Sequence, residues 1–464
     1  MQQHTKIGAY LKTVCEQIRW KKAHDVISEE IENHLLDQKD AFMAAGLDEE
    51  TATDKAILEM GDPIFLGLEF DRTHTPKVEW SIIGLTGIAL LLGLVLRIFV
   101  LRDVGMSWSM TNSIISTVIG VGCMTMAYFL DFSTIGKYPK TIYFGLLALT
   151  IWITFTPIVN GGITFISPII NGQNFRVQFL LLLFPTAFAG IIYNMRREGY
   201  LGIILSYVCL AIPALIGMIN PNFSGVIVYT LTCLILLTFA IAKGWFNVKK
   251  LRAVLLVFIP TVMSAMVVIF TTIFNNPYRL QRLQNALNPS LDPMGAGYIG
   301  TITREMIANA RFFGQGELGT SSGMMLPEIH TDFLLTYLIH RFGWISFIVI
   351  MTVLLAIIMR AFMLCSKQRS VLGKLIAMSV LTTFTLQVAL YVANNLGFQL
   401  FAPLTLPLVS YGGTATVINM ILIGIMLSVF KSGELFRDNL TTFGVSNKKL
   451  FEIVDGKIVI DLRL

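Results

Sequence analysis

The sequence predicts an all-α, polytopic membrane protein with about ten transmembrane helices, preceded by a small cytoplasmic helical domain. Three observations predict this. The chain is 54% hydrophobic and only 14% charged, with a mean hydropathy of +0.69, where a soluble chain carries about a quarter charged residues. From Trp80 onward it is a succession of apolar runs, each long enough for the ~20 residues that a ~30 Å hydrocarbon core requires. Lys and Arg cluster in alternate short loops, the pattern of a chain whose basic loops stay on the cytoplasmic side. The formal charge of +6 is accounted for by those loops, and no nucleic-acid partner is expected.

Residues 1–75 read as a helical prefix domain. Ile7, Leu11, Val14 and Ile18 form one stripe at helical spacing; Ile27, Ile31, Leu35 and Phe42 form a second, with Gly46 as its stop. Asp48 caps a third helix with Glu49 and Glu50 in its first turn, and Gly61 with Pro63 ends it. No apolar core lies near the start, so no secretory signal is expected and this segment stays in the cytoplasm. Three short helices make a thin core that needs a partner or the membrane surface. A plain cytoplasmic cap and a regulatory domain both fit.

The spans fall at 80–101, 109–131, 140–158, 176–195, 200–219, 222–243, 251–275, 331–359, 373–400 and 408–430. They divide a membrane domain at 76–435 from a cytoplasmic tail at 436–464. Lys137, Lys140, Arg196, Arg197, Lys243, Lys249, Lys250, Arg252, Arg360, Lys367, Arg369 and Lys374 mark the inner loops, while Arg97 and Arg102 sit beside the first outer one. This places the polar loop 275–330 outside and Asp332 at the outer end of the eighth span. Five cysteines without CxxC spacing and six unpaired histidines suggest neither a disulfide framework nor a zinc site.

The loop closes on GQGELGTSSGMMLPEIHTDF, residues 314–333. A carboxylate at the mouth of a hydrophobic helix is costly, so Asp332 is a functional candidate; a helix cap by Asp332 or Thr331 is the alternative. A loop of this length is functional or locally folded. It holds Arg279, Arg282, Arg304 and Arg311. These fit an anionic ligand such as a phosphate, or else pairing with the loop's own acids or with lipid headgroups. Near the other end, PLTLPLVSYGG at 403–413 would leave backbone groups free at a membrane boundary, which suggests a cavity wall; an ordinary loop is the alternative.

Taken together, YRLQRLQNALNPSLDPMGAGY, GQGELG, LPEIHTDF and SYGGTA resemble, in order and spacing, the motifs of the FtsW/RodA/SpoVE (SEDS) cell-wall family over roughly residues 275–430. The resemblance implies a peptidoglycan glycosyltransferase that polymerises lipid II at the outer face of the bacterial cytoplasmic membrane, both termini cytoplasmic, with a class B penicillin-binding protein as partner. The family's essential carboxylate falls on Asp332. Substrate contacts are expected from Arg279, Arg282, Glu328, His330, Asn394, Ser410, Gly412 and Gly413, with the arginines or a divalent cation facing the pyrophosphate. The sequence departs from the family at 174–183, where NFRVQFLLLL lacks a Glu and a Lys. It departs again at Asn222, in place of Asp, at Ile299, in place of Gln, and at His340–Arg341, in place of two acids read as lying inside the eighth span. These departures keep open a non-catalytic scaffold or regulator of cell-wall synthesis; a lipid-linked precursor flippase is the further alternative. Residues 1–75 lie outside the family pattern and resemble a helical prefix domain found ahead of some bacterial permeases.

Overall fold

The computed structural model describes residues 2–21, 24–74, 78–104, 107–155, 177–219, 223–271, 277–317, 326–399 and 404–432, with short strand pieces between 158 and 174 and between 451 and 460. Asn222 lies outside the described residues.

Four helices form the prefix: α1 (Gln2–Gln17), α2 (His24–Ala44), α3 (Glu49–Met60) and α4 (Pro63–His74). Ile7, Leu11, Val14, Ile18, Ile27 and Leu35 bury their side chains together, because the two apolar stripes face each other. The Asp48 carboxylate accepts the Thr51 backbone N–H at 3.1 Å and starts α3. α3 ends at Met60 with Gly61 as its C-cap, as expected, but a fourth helix corrects the expected count of three. Pro63 opens α4, where its missing N–H would have had no helical partner in any case. The inner face of α4 packs on α1, and Asp71 accepts the Arg19 backbone N–H at 2.9 Å.

The membrane domain continues with α5 (Trp80–Val104), α6 (Ser107–Phe129), the short α7 (Ser133–Lys137) and α8 (Pro139–Phe155). Two small antiparallel hairpins follow, pairing Ile158 with Phe165 and Ile169 with Asn174. Then come α9 (Val177–Leu180), α10 (Phe184–Met195), α11 (Gly199–Gly217), α12 (Ser224–Ala242) and α13 (Lys250–Ile269). The polar loop contains α14 (Pro277–Leu287) and α15 (Tyr298–Ala308). The chain closes with α16 (Leu334–Phe342), α17 (Trp344–Lys367), α18 (Val371–Asn395) and α19 (Gly413–Ser432), and a last hairpin pairs Phe451 with Ile460.

Among the described residues, α5, α6, α11, α12, α13, α17, α18 and α19 are long and apolar enough to cross a membrane, and two shorter apolar helices lie at Pro139–Thr154 and Leu181–Met195. The apolar stretch of α19 is 72% buried and that of α13 only 11%, so α19 is the centre of the bundle and α13 lies on its lipid-facing periphery. Packing density rather than hydrophobicity separates them, since both are equally compatible with lipid.

The eighth span differs from expectation. The run 331–359 is not one helix: Gly343 adopts φ +90°, a conformation open to glycine, and breaks it into α16 and α17. The crossing helix is α17, and Asp332 belongs to a turn ahead of α16. The loop also folds back on this break. Gly316 N–H donates to His340 O at 2.7 Å, Gly314 N–H to Phe342 O at 3.1 Å and Trp344 N–H to Arg311 O at 3.1 Å. His340 and Arg341 therefore lie against the loop rather than inside a span, with Arg341 Nη1 donating to Gln315 Oε1 at 2.6 Å.

Candidate active site

Asp332 sits in a compact turn. The Glu328 carbonyl accepts the backbone N–H groups of Thr331, Asp332 and Phe333 at 3.1, 3.0 and 3.2 Å. Glu328 reaches this geometry at φ +51°, and its carboxylate accepts the Thr331 hydroxyl at 2.9 Å. The N-cap of α16 is Phe333, with no capping side chain, and the Thr331 hydroxyl turns back to Glu328. The N-cap position thus falls on Phe333 and not on Thr331.

The three following carbonyls are each taken from outside the turn. His330 O accepts Tyr411 N–H at 3.2 Å, Thr331 O accepts the Tyr391 hydroxyl at 3.2 Å, and Asp332 O accepts Asn395 Nδ2 at 2.9 Å. Tyr391 and Asn395 lie one turn apart on α18, both fully buried. Asn395 also accepts, through Oδ1, the Thr336 backbone N–H at 3.0 Å and the Thr336 hydroxyl at 3.1 Å, so it locks both the turn and the start of α16. A buried amide with its donors and acceptor both engaged is stabilising; the same amide with one side stranded is costly. The ring of His330 stacks on Tyr411, 6.1 Å between centroids at 27°, and its Nε2 lies 3.9 Å from Glu328 Oε2. Burial holds His330 below the ordinary histidine pKa, partly opposed by Glu328.

The 404–411 segment forms the other wall. Ser410 is buried; its hydroxyl accepts Leu406 N–H at 2.8 Å and donates to Leu406 O at 3.3 Å, so its hydrogen bonds close this segment on itself. Gln387 of α18 donates to Thr405 O at 3.1 Å. A Cβ on Gly412 would stand 2.7 Å from the Thr405 side chain, so the close approach there needs glycine; Gly413 begins α19. Asn394 is buried on α18 beside Asn395.

The structure thus brings Asp332, His330 and Glu328 into one turn, with Ser410 and Gly412 in the neighbouring segment. Arg279 and Arg282 are carried by α14, and their side chains lie outside the described residues. Two other loop arginines serve the protein itself. Arg304 donates to Leu287 O and Gly397 O at 3.2 and 3.3 Å, and Arg311 pairs with Glu317 at 2.8 Å. Among the described residues no three His, Cys, Asp or Glu side chains gather as a metal site.

Arg97 and Arg102, read as flanking the first outer loop, both lie inside α5, and Arg97 is 1% exposed. Its Nε donates to Gly93 O at 3.0 Å, Nη1 to Ser113 Oγ at 2.7 Å and Nη2 to Leu408 O at 3.4 Å. It therefore fastens the 404–411 segment to α5 and α6. Gly93 permits this, because any Cβ there would come within 2.7 Å of Leu408 O. An ionisable side chain in the middle of an apolar run is the signal that marks such a residue.

Fold and site together define a polytopic membrane protein in which a carboxylate-bearing turn is folded into one end of the helix bundle. Residues 78–434 match the cell cycle protein family FtsW/RodA/SpoVE, and the chain belongs to that family. It is 29% identical over 304 residues to the probable peptidoglycan glycosyltransferase FtsW of Idiomarina loihiensis, covering 62% of this chain and 70% of that protein. It is 30% identical over 279 residues to the protein of the same description from Alteromonas naphthalenivorans, covering 58% of this chain and 51% of that one. Among solved structures, a chain of a peptidoglycan synthase complex that coordinates polymerization and crosslinking superposes with a TM-score of 0.61 at 18% identity, over 78% of this chain and 99% of that one. A mutant of Rod shape determining protein RodA from Thermus thermophilus superposes with a TM-score of 0.53 at 13% identity, over the same shares. These two likenesses concern the fold.

Proposed function

We propose that this protein is a peptidoglycan glycosyltransferase that polymerises lipid II at the outer face of the bacterial cytoplasmic membrane, with Asp332 as general base and a class B penicillin-binding protein as partner. The observation that carries the reading is the turn around Asp332, whose backbone is fixed by Tyr391, Asn395 and Tyr411 at the end of the bundle opposite the prefix. A general base needs this kind of fixation, because proton transfer requires its oxygen within hydrogen-bond reach of the attacking hydroxyl. In the reaction, the acceptor sugar hydroxyl attacks the anomeric carbon of the donor. Asp332 takes the hydroxyl proton, and the bond to the lipid pyrophosphate breaks with its electron pair leaving on the phosphate oxygen. Arg279 and Arg282 are the cations assigned to that leaving group. The basic loops between the spans then face the cytoplasm, together with both termini.

Purified protein with a competent class B partner is expected to convert lipid II into glycan strands, and Asp332→Asn to lower the yield at least a hundredfold while leaving the folded, monodisperse protein unchanged. Glycan synthesis by Asp332→Asn at the wild-type rate removes the base from the reading. If the wild type itself fails, the non-catalytic scaffold holds; the observation that favours it is the absence of the family's Glu and Lys at 174–183.

A further inference from the structure

The prefix domain leaves one face uncovered. On α4, Ile64, Phe65 and Leu68 are 49%, 70% and 52% exposed, and Leu58 at the end of α3 is 80% exposed. The opposite face of α4 is satisfied, with Leu66 and Phe70 against the prefix core and Gly67 against Val14. An exposed run of large apolar side chains on one side of a short helix marks a surface that is covered in use. What covers it follows from the chain. α4 ends at His74 and α5 begins at Trp80, so residues 75–79 can hold the two apart by no more than ~20 Å at full extension. The uncovered face cannot leave the vicinity of the membrane surface from which α5 starts. Trp80, 73% exposed at that start, is the kind of side chain that settles at the boundary between lipid and water.

The charges of the prefix point the same way. Of its acids, Glu29, Glu30, Glu32, Asp37 and Asp40 lie on α2 and Glu49, Glu50, Asp54 and Glu59 on α3, while α4 carries Glu69, Asp71 and Arg72. α2 packs on α1 and α3, whereas α4 packs on α1. α2 is therefore the most acidic helix, and α4 is the one that gathers exposed apolar side chains, its Asp71 being turned inward to Arg19. An anionic leaflet repels the first and accepts the second. We infer that α4 is an interfacial helix that docks the prefix domain onto the lipid leaflet from which α5 starts, through Leu58, Ile64, Phe65 and Leu68. The attraction is apolar and works against a like-charge background, so salt does not weaken it.

The test uses the full chain in nanodiscs of phosphatidylethanolamine and phosphatidylglycerol. A photoreactive benzoylphenylalanine replaces Phe65 or Leu68, or Asn33 on α2 as reference, and adducts are identified by mass. Phospholipid adducts at 65 and 68 are expected at least tenfold above those at 33, and raising the salt should leave the yield unchanged or higher. Adducts at 65 to polypeptide, from this chain or a second copy, overturn the inference, as do lipid yields equal to those at 33 or a yield that collapses with salt. Because these positions are exposed, the probes leave the prefix core intact. A Phe65→Asp variant, with the probe moved to Leu68, should lose most of its lipid adducts; an unchanged yield overturns the docking mode.

Discussion

Arg360 and Arg97 stand at opposite ends of the bundle, and the protein neutralises them differently. At the prefix end, Arg360 of α17 reaches the Glu79 carboxylate at 3.2 Å and the Ser81 hydroxyl at 2.8 Å, tying α17 to the start of α5 through a partly exposed ion pair. At the site end, Arg97 is buried and, among the described residues, forms no ion pair; two backbone carbonyls and the Ser113 hydroxyl satisfy it. Carbonyl dipoles can hold a cation without consuming an anion. A buried arginine held this way has no need of an acid, whereas one left unsatisfied would draw a carboxylate into a buried salt bridge.

The two ends should respond differently to substitution. The largest effect is expected from Asn395→Leu. It strands the Asp332 carbonyl and the Thr336 N–H, each worth about 1–3 kcal/mol when left buried and unpaired. Glycan synthesis should be lost and thermal stability in detergent lowered by several degrees. Arg97→Lys comes next. It keeps the charge but loses the guanidinium fork, and glycan synthesis should fall about tenfold with little change in partner binding; a lysine that works as well as arginine would mean that charge alone matters there. His330→Gln is smaller and depends on pH. The histidine pKa is lowered in the folded protein, so the unfolded chain takes up the proton first and stability falls as pH drops below about 6.5. Melting curves at pH 5.5 and 7.5 should show a wild-type loss that His330→Gln lacks. Arg360→Ala should be the mildest, within about 1 kcal/mol, since the pair is partly exposed. An Arg360→Ala loss as large as that of Arg97→Lys would erase the distinction between the ends.

The sequence revealed the helices by composition and concealed their junctions. α5, α12 and α19 are long apolar runs and read directly. The break at Gly343 was hidden because LLTYLIHRF and WISFIVI are apolar on both sides of it. Two basic residues in a last turn with glycine just past it, His340, Arg341 and Gly343, are nonetheless a helix stop, and that signal was available. Arg97 was read with Arg102 as flanking the first outer loop, and its acceptor, Leu408, is too remote in sequence to show its role. Asp332 stood out as a charge among apolar residues. Asn395 was visible only as a polar residue inside a span and Tyr391 not at all, since such a residue gains meaning only from the partner it meets.

The three carbonyls of residues 330–332 have one more consequence. Two of their donors ride on α18, and the third belongs to the segment that leads into α19. The turn is thus a bridge with an abutment on each bank. A partner that widens or narrows the gap between those two helices would tilt the bridge, and the bearing of Asp332 would tilt with it. The helix spacing becomes a dial for the carboxylate, read out at a distance from wherever the partner binds.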